Sequence, residues 1–351
     1  MLLKIDFVII RTLILTFISF VIAILLTPAV THYLYKYKLG KRIRSSDQTP
    51  IFTKLHAQKE GTPTMGGVLI WGTVVIVTLL LALLADAFPW LSTLQKFNFL
   101  SRSETLLPLG ILVVSAIVGL VDDLFNVRRI GPQGGGLRVR HKLLLYLLIA
   151  IFGAYWFYSK LGWTTLHVPF VGSFDIGLWY IPIFIFMIAA TAFSVNEIDG
   201  LDGLAGGTLL PAFVAYAGIA FAQGKYDLVT FCGVIIGALL AFLWFNVNPA
   251  RFFMGDTGSM SLGVTLGIIA MLTNASLLLP VIGFVFAVVS LSVVIQLLWR
   301  MVFKKKVFLS APIHHHLEAK GWSEPKIVMR FWIIAGVTAL LGLVLAIIDK
   351  R

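Results

Sequence analysis

The chain has 351 residues, is 59% hydrophobic and only 13% charged, and carries a formal net charge of +12. This composition excludes a water-soluble domain, because apolar runs at or beyond the roughly 18 residues that mark a spanning helix recur along the sequence. On such a chain excess positive charge reflects loops facing anionic lipid rather than a nucleic-acid partner, and the single cysteine, Cys232, excludes a disulfide framework or a thiolate metal centre.

In chain order the apolar runs predict ten spans, at roughly 8–30, 65–86, 105–121, 142–158, 179–195, 207–222, 228–245, 257–273, 277–299 and 327–348. The runs are continuously apolar, without the alternation a barrel strand requires, and backbone in lipid must satisfy its own hydrogen bonds. The expected fold is an all-α integral membrane protein: a bundle of ten transmembrane helices forming a single polytopic domain over residues 1–351. The first run is long, lacks a small-residue cleavage site and leads into a basic loop, so it reads as a retained helix.

Lys and Arg set the orientation. The first connection holds Lys36, Lys38, Lys41, Arg42, Arg44, Lys54 and Lys59; the third holds Arg128, Arg129, Arg138, Arg140 and Lys142; the ninth holds Arg300, Lys304, Lys305, Lys306, Lys320, Lys326 and Arg330. The even connections carry few cations. The odd connections are therefore expected in the cytoplasm and both termini in the periplasm. Under that alternation Asp122 and Asp123, then Asn196, Asp199 and Asp202, then Asn246 and Asp256, then His314, His315 and His316 all fall at the cytoplasmic face. Acids so near hydrocarbon need water, a partner or a metal, which points to one shared site.

Each motif has a chemical reading beside a plainer one. Asp256, in Phe253-Met-Gly-Asp-Thr-Gly-Ser259, is placed to cap the helix that follows, or to seat a metal–phosphate group among free N–H donors. Asp122 and Asp123 are adjacent, so on a helix they point about 100° apart and are expected to do different jobs. Asp199 and Asp202 face one way if helical, and Gly200 and Gly203 beside them permit close approach by a ligand. Gly61-Thr-Pro-Thr-Met-Gly-Gly67, preceded by Lys59, offers N–H and hydroxyl groups to an anion, or is simply a helix start. Consecutive His314, His315 and His316 cannot all face one point; without cysteine they suit phosphate binding better than zinc. Oxygen ligands argue for Mg²⁺ or Mn²⁺, and clustered acids with His and Lys at a lipid surface suggest phosphoryl transfer.

The stretches Lys59 to Gly67, Val121-Asp-Asp123, Asn196 with Asp199-Gly-Leu-Asp-Gly203, Phe253 to Ser259 and Pro312-Ile-His-His-His-Leu-Glu-Ala-Lys-Gly-Trp322 resemble, in order, the motifs of the polyprenyl-phosphate N-acetylhexosamine-1-phosphate transferases. The Pro-Ile-His-His-His stretch resembles the branch that uses UDP-N-acetylmuramoyl-pentapeptide. The resemblance implies transfer of phospho-N-acetylmuramoyl-pentapeptide to undecaprenyl phosphate at the bacterial inner membrane, Mg²⁺ dependence and a homodimer. It implies that Asp256 ligates Mg²⁺ and that Asp122, Asp123 and His314 serve catalysis. Asn196, Asp199, Gly200, Leu201, Asp202, Asn246 and Phe253 would contact the nucleotide substrate, while Lys59, His315 and His316 would hold diphosphate and sugar–peptide. Two departures stand out: Glu197-Ile198 where the family commonly has Leu-Thr, and Asn126 where it commonly has Lys. Two other readings are a UDP-N-acetylglucosamine-using relative and a lipid-linked transporter. The latter would want charges at mid-membrane and internal repeats, which the sequence does not show.

Overall fold

The structure is a computed structural model that describes residues 2–40, 59–131 and 135–349. Lys41, Arg42, Arg44 and Lys54 of the first basic connection, and residues 132–134 of the glycine-rich loop, lie outside the described residues. Among the described residues ten helices are long and apolar enough to cross a membrane. They are numbered α1 (Leu2–Lys36), α2 (Gly67–Ala87), α3 (Leu106–Val127), α4 (Val139–Tyr155), α5 (Tyr180–Ile198), α6 (Leu204–Ala222), α7 (Tyr226–Asn246), α8 (Gly255–Leu272), α9 (Phe284–Phe303) and α10 (Glu324–Ile348). Every predicted span has its helix.

The boundaries differ where local chemistry intervenes. Helix α3 continues to Val127, so Asp122 and Asp123 lie inside it rather than at its end. Helix α9 starts at Phe284, not 277, because a 3₁₀ turn (Ser276–Leu278) and a short helix (Leu279–Ile282) precede it. Pro280 in the first turn of that short helix and Gly283 at its end break the run. A feature outside the all-helical expectation is an antiparallel hairpin, Thr165–Val168 with Gly172–Asp175, between α4 and α5. His167 fastens it, with Nδ1 2.9 Å from Ser173 Oγ and Nε2 2.6 Å from Asp349 Oδ2 just beyond α10.

Helix α8 is the axis of the bundle. It packs on α2, α3, α5 and α6, and 94% of its apolar window is buried. It is the least hydropathic span, and its sequence explains both facts. Gly258, Ser259, Ser261, Gly263, Thr265 and Gly267 are small, and small residues let helix backbones approach closely in membranes. Gly258 lies against Gly67, where an added methyl on Gly67 would stand 2.3 Å from the Gly258 Cα. On α3, an added methyl at Gly119 would stand 2.3 Å from the Asp256 carbonyl oxygen. Gly119→Ala is therefore expected to push Asp256 out of register, destabilising the protein by about 1–3 kcal/mol and cutting activity. Thermal unfolding in detergent alongside an activity assay checks this.

The helices alternate direction, so the ends of α1, α3, α5 and α7 and the starts of α2, α4, α6, α8 and α10 gather at one end of the bundle. At the other end Arg11 of α1 pairs with Asp227 of α7 at 3.0 Å, Glu104 accepts the Asp227 and Leu228 N–H groups, and the hairpin meets the end of α10. The start of α1 and the end of α10 lie at this second end.

Candidate active site

The first end holds the acids. Asp123 is buried at 5% exposure. Its Oδ1 accepts the Asp256 N–H at 3.1 Å and its Oδ2 accepts the Thr257 N–H at 3.0 Å. Asp123 thus caps the first turn of α8 from another helix, satisfying donors that every helix start leaves unpaired. The cap is close because residue 255 is glycine: its φ is +73°, and an added methyl would stand 2.5 Å from Asp123 Oδ2. The reading of Asp256 as the cap of its own helix is corrected, since Asp256 sits inside the first turn and the position before the helix is Met254. Asp123→Ala should cost about 1–2 kcal/mol of stability, the usual value of a lost cap, read as a lower Tm.

Relieved of capping, Asp256 faces the site. Its Oδ2 is 2.5 Å from Lys142 Nζ and its Oδ1 accepts Asn196 Nδ2–H at 2.5 Å. Asn196 also donates to Ser259 Oγ at 2.9 Å. Lys142 Nζ reaches Asp122 Oδ2 at 2.8 Å, and Asp122 Oδ1 accepts the Leu137 N–H at 2.5 Å. The adjacent aspartates therefore do different jobs, as their angular offset requires. Asp123 holds backbone, and Asp122 joins Asp256 around one ammonium.

A second cluster is centred on Lys59. Its Nζ is 2.6 Å from Asp202 Oδ1 and 2.5 Å from Glu324 Oε1. Asp202 Oδ2 accepts Asn248 Nδ2–H at 3.0 Å and the Ala250 N–H at 3.1 Å, and Glu324 Oε1 accepts the Asp202 N–H at 2.6 Å. Asp202 is 4% exposed, and these contacts tie three loops together. The expected helical pairing of Asp199 with Asp202 is absent: α5 ends at Ile198, Asp199 is its C-cap, and Gly203 turns left-handed at φ +79°. Asn246 is a strut, its Oδ1 accepting the Gly203 N–H and its Nδ2 donating to the Phe252 carbonyl. Leu201 is buried in the apolar core. The Phe253 ring lies 5.9 Å from Lys59 Nζ.

The Thr-Pro-Thr stretch before α2 does not stand open to an anion. It is laid along the Asp256 loop: the Phe253 N–H donates to the Pro63 carbonyl, Gly66 N–H to Phe253 and Gly67 N–H to Met254.

The histidines divide as consecutive helical residues must. They lie on a short helix, Ile313–Ala319. The His314 and His315 rings meet at 4.3 Å and approach Gly200, where an added methyl would stand 2.5 Å from His314 Nε2 and 2.9 Å from His315 Nε2. Glu318 Oε2, 2.6 Å from His315 Nδ1, orients that ring. His316 turns away: its Nδ1 accepts the Leu309 N–H and its ring lies edge-on to Phe308. Burial and then the Lys320 ammonium hold His316 below the ordinary imidazole range, so it is neutral at pH 7.

Among the described residues no group of three or more His, Cys, Asp or Glu is arranged to hold a metal. Asp122 and Asp256 nevertheless suit a hard cation. Both present carboxylate oxygen, and the gap between them already takes positive charge, that of Lys142. Mg²⁺ commonly rests on one or two carboxylates and completes its shell with phosphate oxygens and water.

Four site residues carried no separate signal in the sequence. Lys142 was one cation among the five of its connection. Glu324 lay outside the predicted span 327–348, Asn248 between the predicted spans 228–245 and 257–273, and Glu318 in the stretch that follows the histidines.

Comparison with known proteins gives this geometry its context. The glycosyl transferase family 4 profile matches residues 105–274, which enclose Asp122, Asp123, Asn196 and Asp256. Signature 1 of the phospho-N-acetylmuramoyl-pentapeptide-transferases matches residues 59–70. The chain is 39% identical over 351 residues to the phospho-N-acetylmuramoyl-pentapeptide-transferase of Chloroflexus aggregans, covering 96% of this chain and 90% of the relative. It is 40% identical over 328 residues to that of Geobacillus sp. (strain WCH70), covering 93% and 95%, and 36% identical over 354 residues to that of Syntrophus aciditrophicus, covering 95% and 92%. With similarity of this depth over nearly its whole length, and the family signature falling on the Lys59 loop that braces Asp256, the chain belongs to the phospho-N-acetylmuramoyl-pentapeptide-transferase family.

Proposed function

We propose that this transferase moves phospho-N-acetylmuramoyl-pentapeptide from UDP-N-acetylmuramoyl-pentapeptide to a polyprenyl phosphate, undecaprenyl phosphate, yielding lipid I and UMP. The observation that carries the reading is the Asp256–Lys142–Asp122 constellation, set at the membrane-boundary end of the bundle within a chain so similar to named transferases. An oxygen of the lipid phosphate attacks the β-phosphorus of the nucleotide. The new P–O bond forms as the bond from that phosphorus to the bridging oxygen breaks, and UMP leaves with the electron pair.

The residues divide that work. Lys142 offsets negative charge on the transferring phosphoryl group, and Asn196 fixes the Asp256 carboxylate toward it. Asp122 and Asp256 would hold Mg²⁺, which when bound supplies further positive charge to the diphosphate. Asp123 is a positioning residue acting through the start of α8. His314 and His315, whose rings meet edge to face beside Gly200, would meet the diphosphate and sugar, with Asp199 next to Gly200 in the chain. Lys59, Asp202, Asn246, Phe253 and Leu201 shape the nucleotide side. His316, facing Phe308 and Leu309, would contribute through the loop it holds. Transfer is direct rather than through an aspartyl-phosphate, because the lipid phosphate is already a competent nucleophile. Single-turnover trapping should find no phosphoryl adduct on Asp122 or Asp123, and such an adduct would overturn the direct route.

The reading includes a single ten-span domain in the bacterial inner membrane, with the site in the cytoplasm and both termini in the periplasm. Support comes from the cations beside the site, Arg128, Arg129, Arg138 and Arg140 among them. It also includes a homodimer, as the family resemblance implies; the protein–detergent mass in solution tests that.

The deciding experiment is a radiolabel transfer assay in detergent with undecaprenyl phosphate and Mg²⁺, offering UDP-N-acetylmuramoyl-pentapeptide and UDP-N-acetylglucosamine in parallel. Metal-dependent lipid product from the muramoyl nucleotide alone is expected. Product from UDP-N-acetylglucosamine alone would move the protein to the sister branch.

A further inference from the structure

At the end of the bundle opposite the acid cluster a cavity of about 720 Å³ opens between the first turns of α1, a short helix, Ser92–Phe97, and the starts of α3 and α7. That volume is within the usual range of a ligand pocket. Its walls carry both signs of charge, Arg11 and Lys96 against Glu104 and Asp227. Arg11 belongs to the span that begins at Ile5, about 9 Å along the helix from that point, and is 6% exposed. A buried arginine within a span is costly and marks a site or a demanding set of partners. Its Nη2 donates to Asp227 Oδ1 at 3.0 Å and to the Tyr226 carbonyl at 2.9 Å, and its Nη1 to the Lys96 carbonyl at 3.2 Å. The buried Nε–H has no partner among the described residues, a cost that a donor of this kind normally avoids.

The other two charges are not used up either. Glu104 accepts the Asp227 and Leu228 N–H groups through Oε2 alone. Burial, with the Asp227 carboxylate adding to it, raises Glu104 above the ordinary carboxylate range. Among the described residues neither Lys96 nor Glu104 forms an ion pair, although both line the same cavity. A strut between α1 and α7 needs only Arg11 and Asp227; it leaves one cation and one acid over. The cavity also lies at the height of a membrane surface. Trp90 and Trp179, each 73% exposed, stand at this end of the bundle, and tryptophan collects at the headgroup level. The Phe97 ring meets the Phe7 ring edge-on at 5.9 Å, which lays the short helix against α1. Beyond Phe7, Ile10, Leu13, Ile14 and Phe17 continue along α1 as an exposed apolar stripe at helical spacing.

We propose that this cavity binds the headgroup of a zwitterionic phospholipid, with the phosphate between Arg11 and Lys96, a primary ammonium on Glu104 and Asp227, and an acyl chain along the α1 stripe. The proposal does not depend on the transferase reading and adds a second lipid site to it, at the far end of the molecule from the acids. Charge complementarity selects the occupant. An anionic headgroup would bring its phosphate to the two cations but leave both carboxylates unmatched, whereas a zwitterion answers both signs. The guanidinium closing on a phosphate pairs the Nε–H, and an ammonium beside Glu104 and Asp227 offsets their mutual repulsion. A soluble phosphate would gain nothing from the apolar stripe. Because the cavity joins α1, α3 and α7, an occupant stabilises the bundle by binding the folded state.

The test compares lipids and two variants on delipidated protein in detergent. Native mass spectrometry with phosphatidylethanolamine and phosphatidylglycerol in equal amounts should show the ethanolamine lipid bound about tenfold more tightly, as an added hydrogen bond between charged groups gives, and that lipid should raise Tm. Inorganic phosphate and phosphoethanolamine at the same concentration should leave Tm unchanged. Glu104→Gln keeps an oxygen for the two N–H groups, and Lys96→Gln leaves the backbone carbonyl that serves Arg11, so both variants are expected to fold. Lys96→Gln should weaken both lipids by about tenfold. Glu104→Gln should weaken the ethanolamine lipid alone, abolishing the preference. Equal binding of the two lipids by wild type, or a preference that survives Glu104→Gln, would overturn the zwitterion assignment. Variants that lower Tm in lipid-free detergent yet bind both lipids as wild type does would show a structural cluster and overturn the site. Phosphate or phosphoethanolamine raising Tm as far as the lipid does would overturn the membrane as its source.

Discussion

Asp256→Asn is expected to lower lipid-product formation by about three orders of magnitude, the upper end of what a single preorganised electrostatic group is worth, with Tm close to wild type. The substitution keeps size and shape, so α8 still packs on α3 and α5, and Asp123 still caps it through backbone N–H groups that the change leaves alone. Asn196 can still donate to the remaining side-chain carbonyl oxygen. What disappears is the negative charge shared with Asp122 around Lys142. The site then offers a divalent cation one carboxylate in place of two, and Lys142 is drawn toward Asp122 alone. Transfer rate and thermal unfolding measured on the same preparation separate the two effects. An Asp256→Asn protein with near-normal activity would remove Asp256 from the chemistry altogether.

Lys142→Met has the second largest effect, and a different signature. Among the described residues Lys142 is the cation that bridges Asp122 and Asp256, and its side chain is 19% exposed. Removing it leaves two carboxylates facing each other in a largely dry site. Taking one member from a buried ion pair costs on the order of 3 kcal/mol, so Tm should fall by several degrees and transfer should drop by at least about a hundredfold, as when a preorganised charge is lost. The variant should also regain stability as Mg²⁺ is raised, and more steeply than wild type, because an added cation replaces the missing one. A Lys142→Met protein whose Tm ignores Mg²⁺ would mean that the Asp122–Asp256 gap does not take the metal.

These two residues show how differently the site could be read beforehand. Asp256 was visible because a carboxylate between glycines at the head of an apolar run is unusual in itself, and because alternation of the spans sends Asp122, Asp199 and the histidines to the same end. Lys142 was not, because a lysine at a basic membrane boundary looks like every other. Its meaning comes from contacts 114 residues away in sequence. Asp123 was legible as an acid near lipid but not as a cap, since the helix it caps begins 132 residues later. The hairpin at Thr165–Val168 escaped notice because the connection is short, half apolar and interrupted by glycine, and its register depends on His167 reaching Asp349 from across the bundle.

The sequence by itself determined the ten spans, the gathering of polar residues at one end, and the hard, oxygen-rich character of the chemistry there. Hydropathy and charge act locally, and a bilayer forces each apolar run into a helix whatever its neighbours are. Only the tertiary structure decided which acid does what. Whether a side chain at a helix end points to metal, to backbone or to a partner depends on how each helix is rotated about its axis and how closely it approaches the next. Here that was set by backbone-to-backbone packing at Gly119, Gly67 and Gly258. That packing brings Asp123 under the first turn of α8 and turns Asp256 toward Lys142.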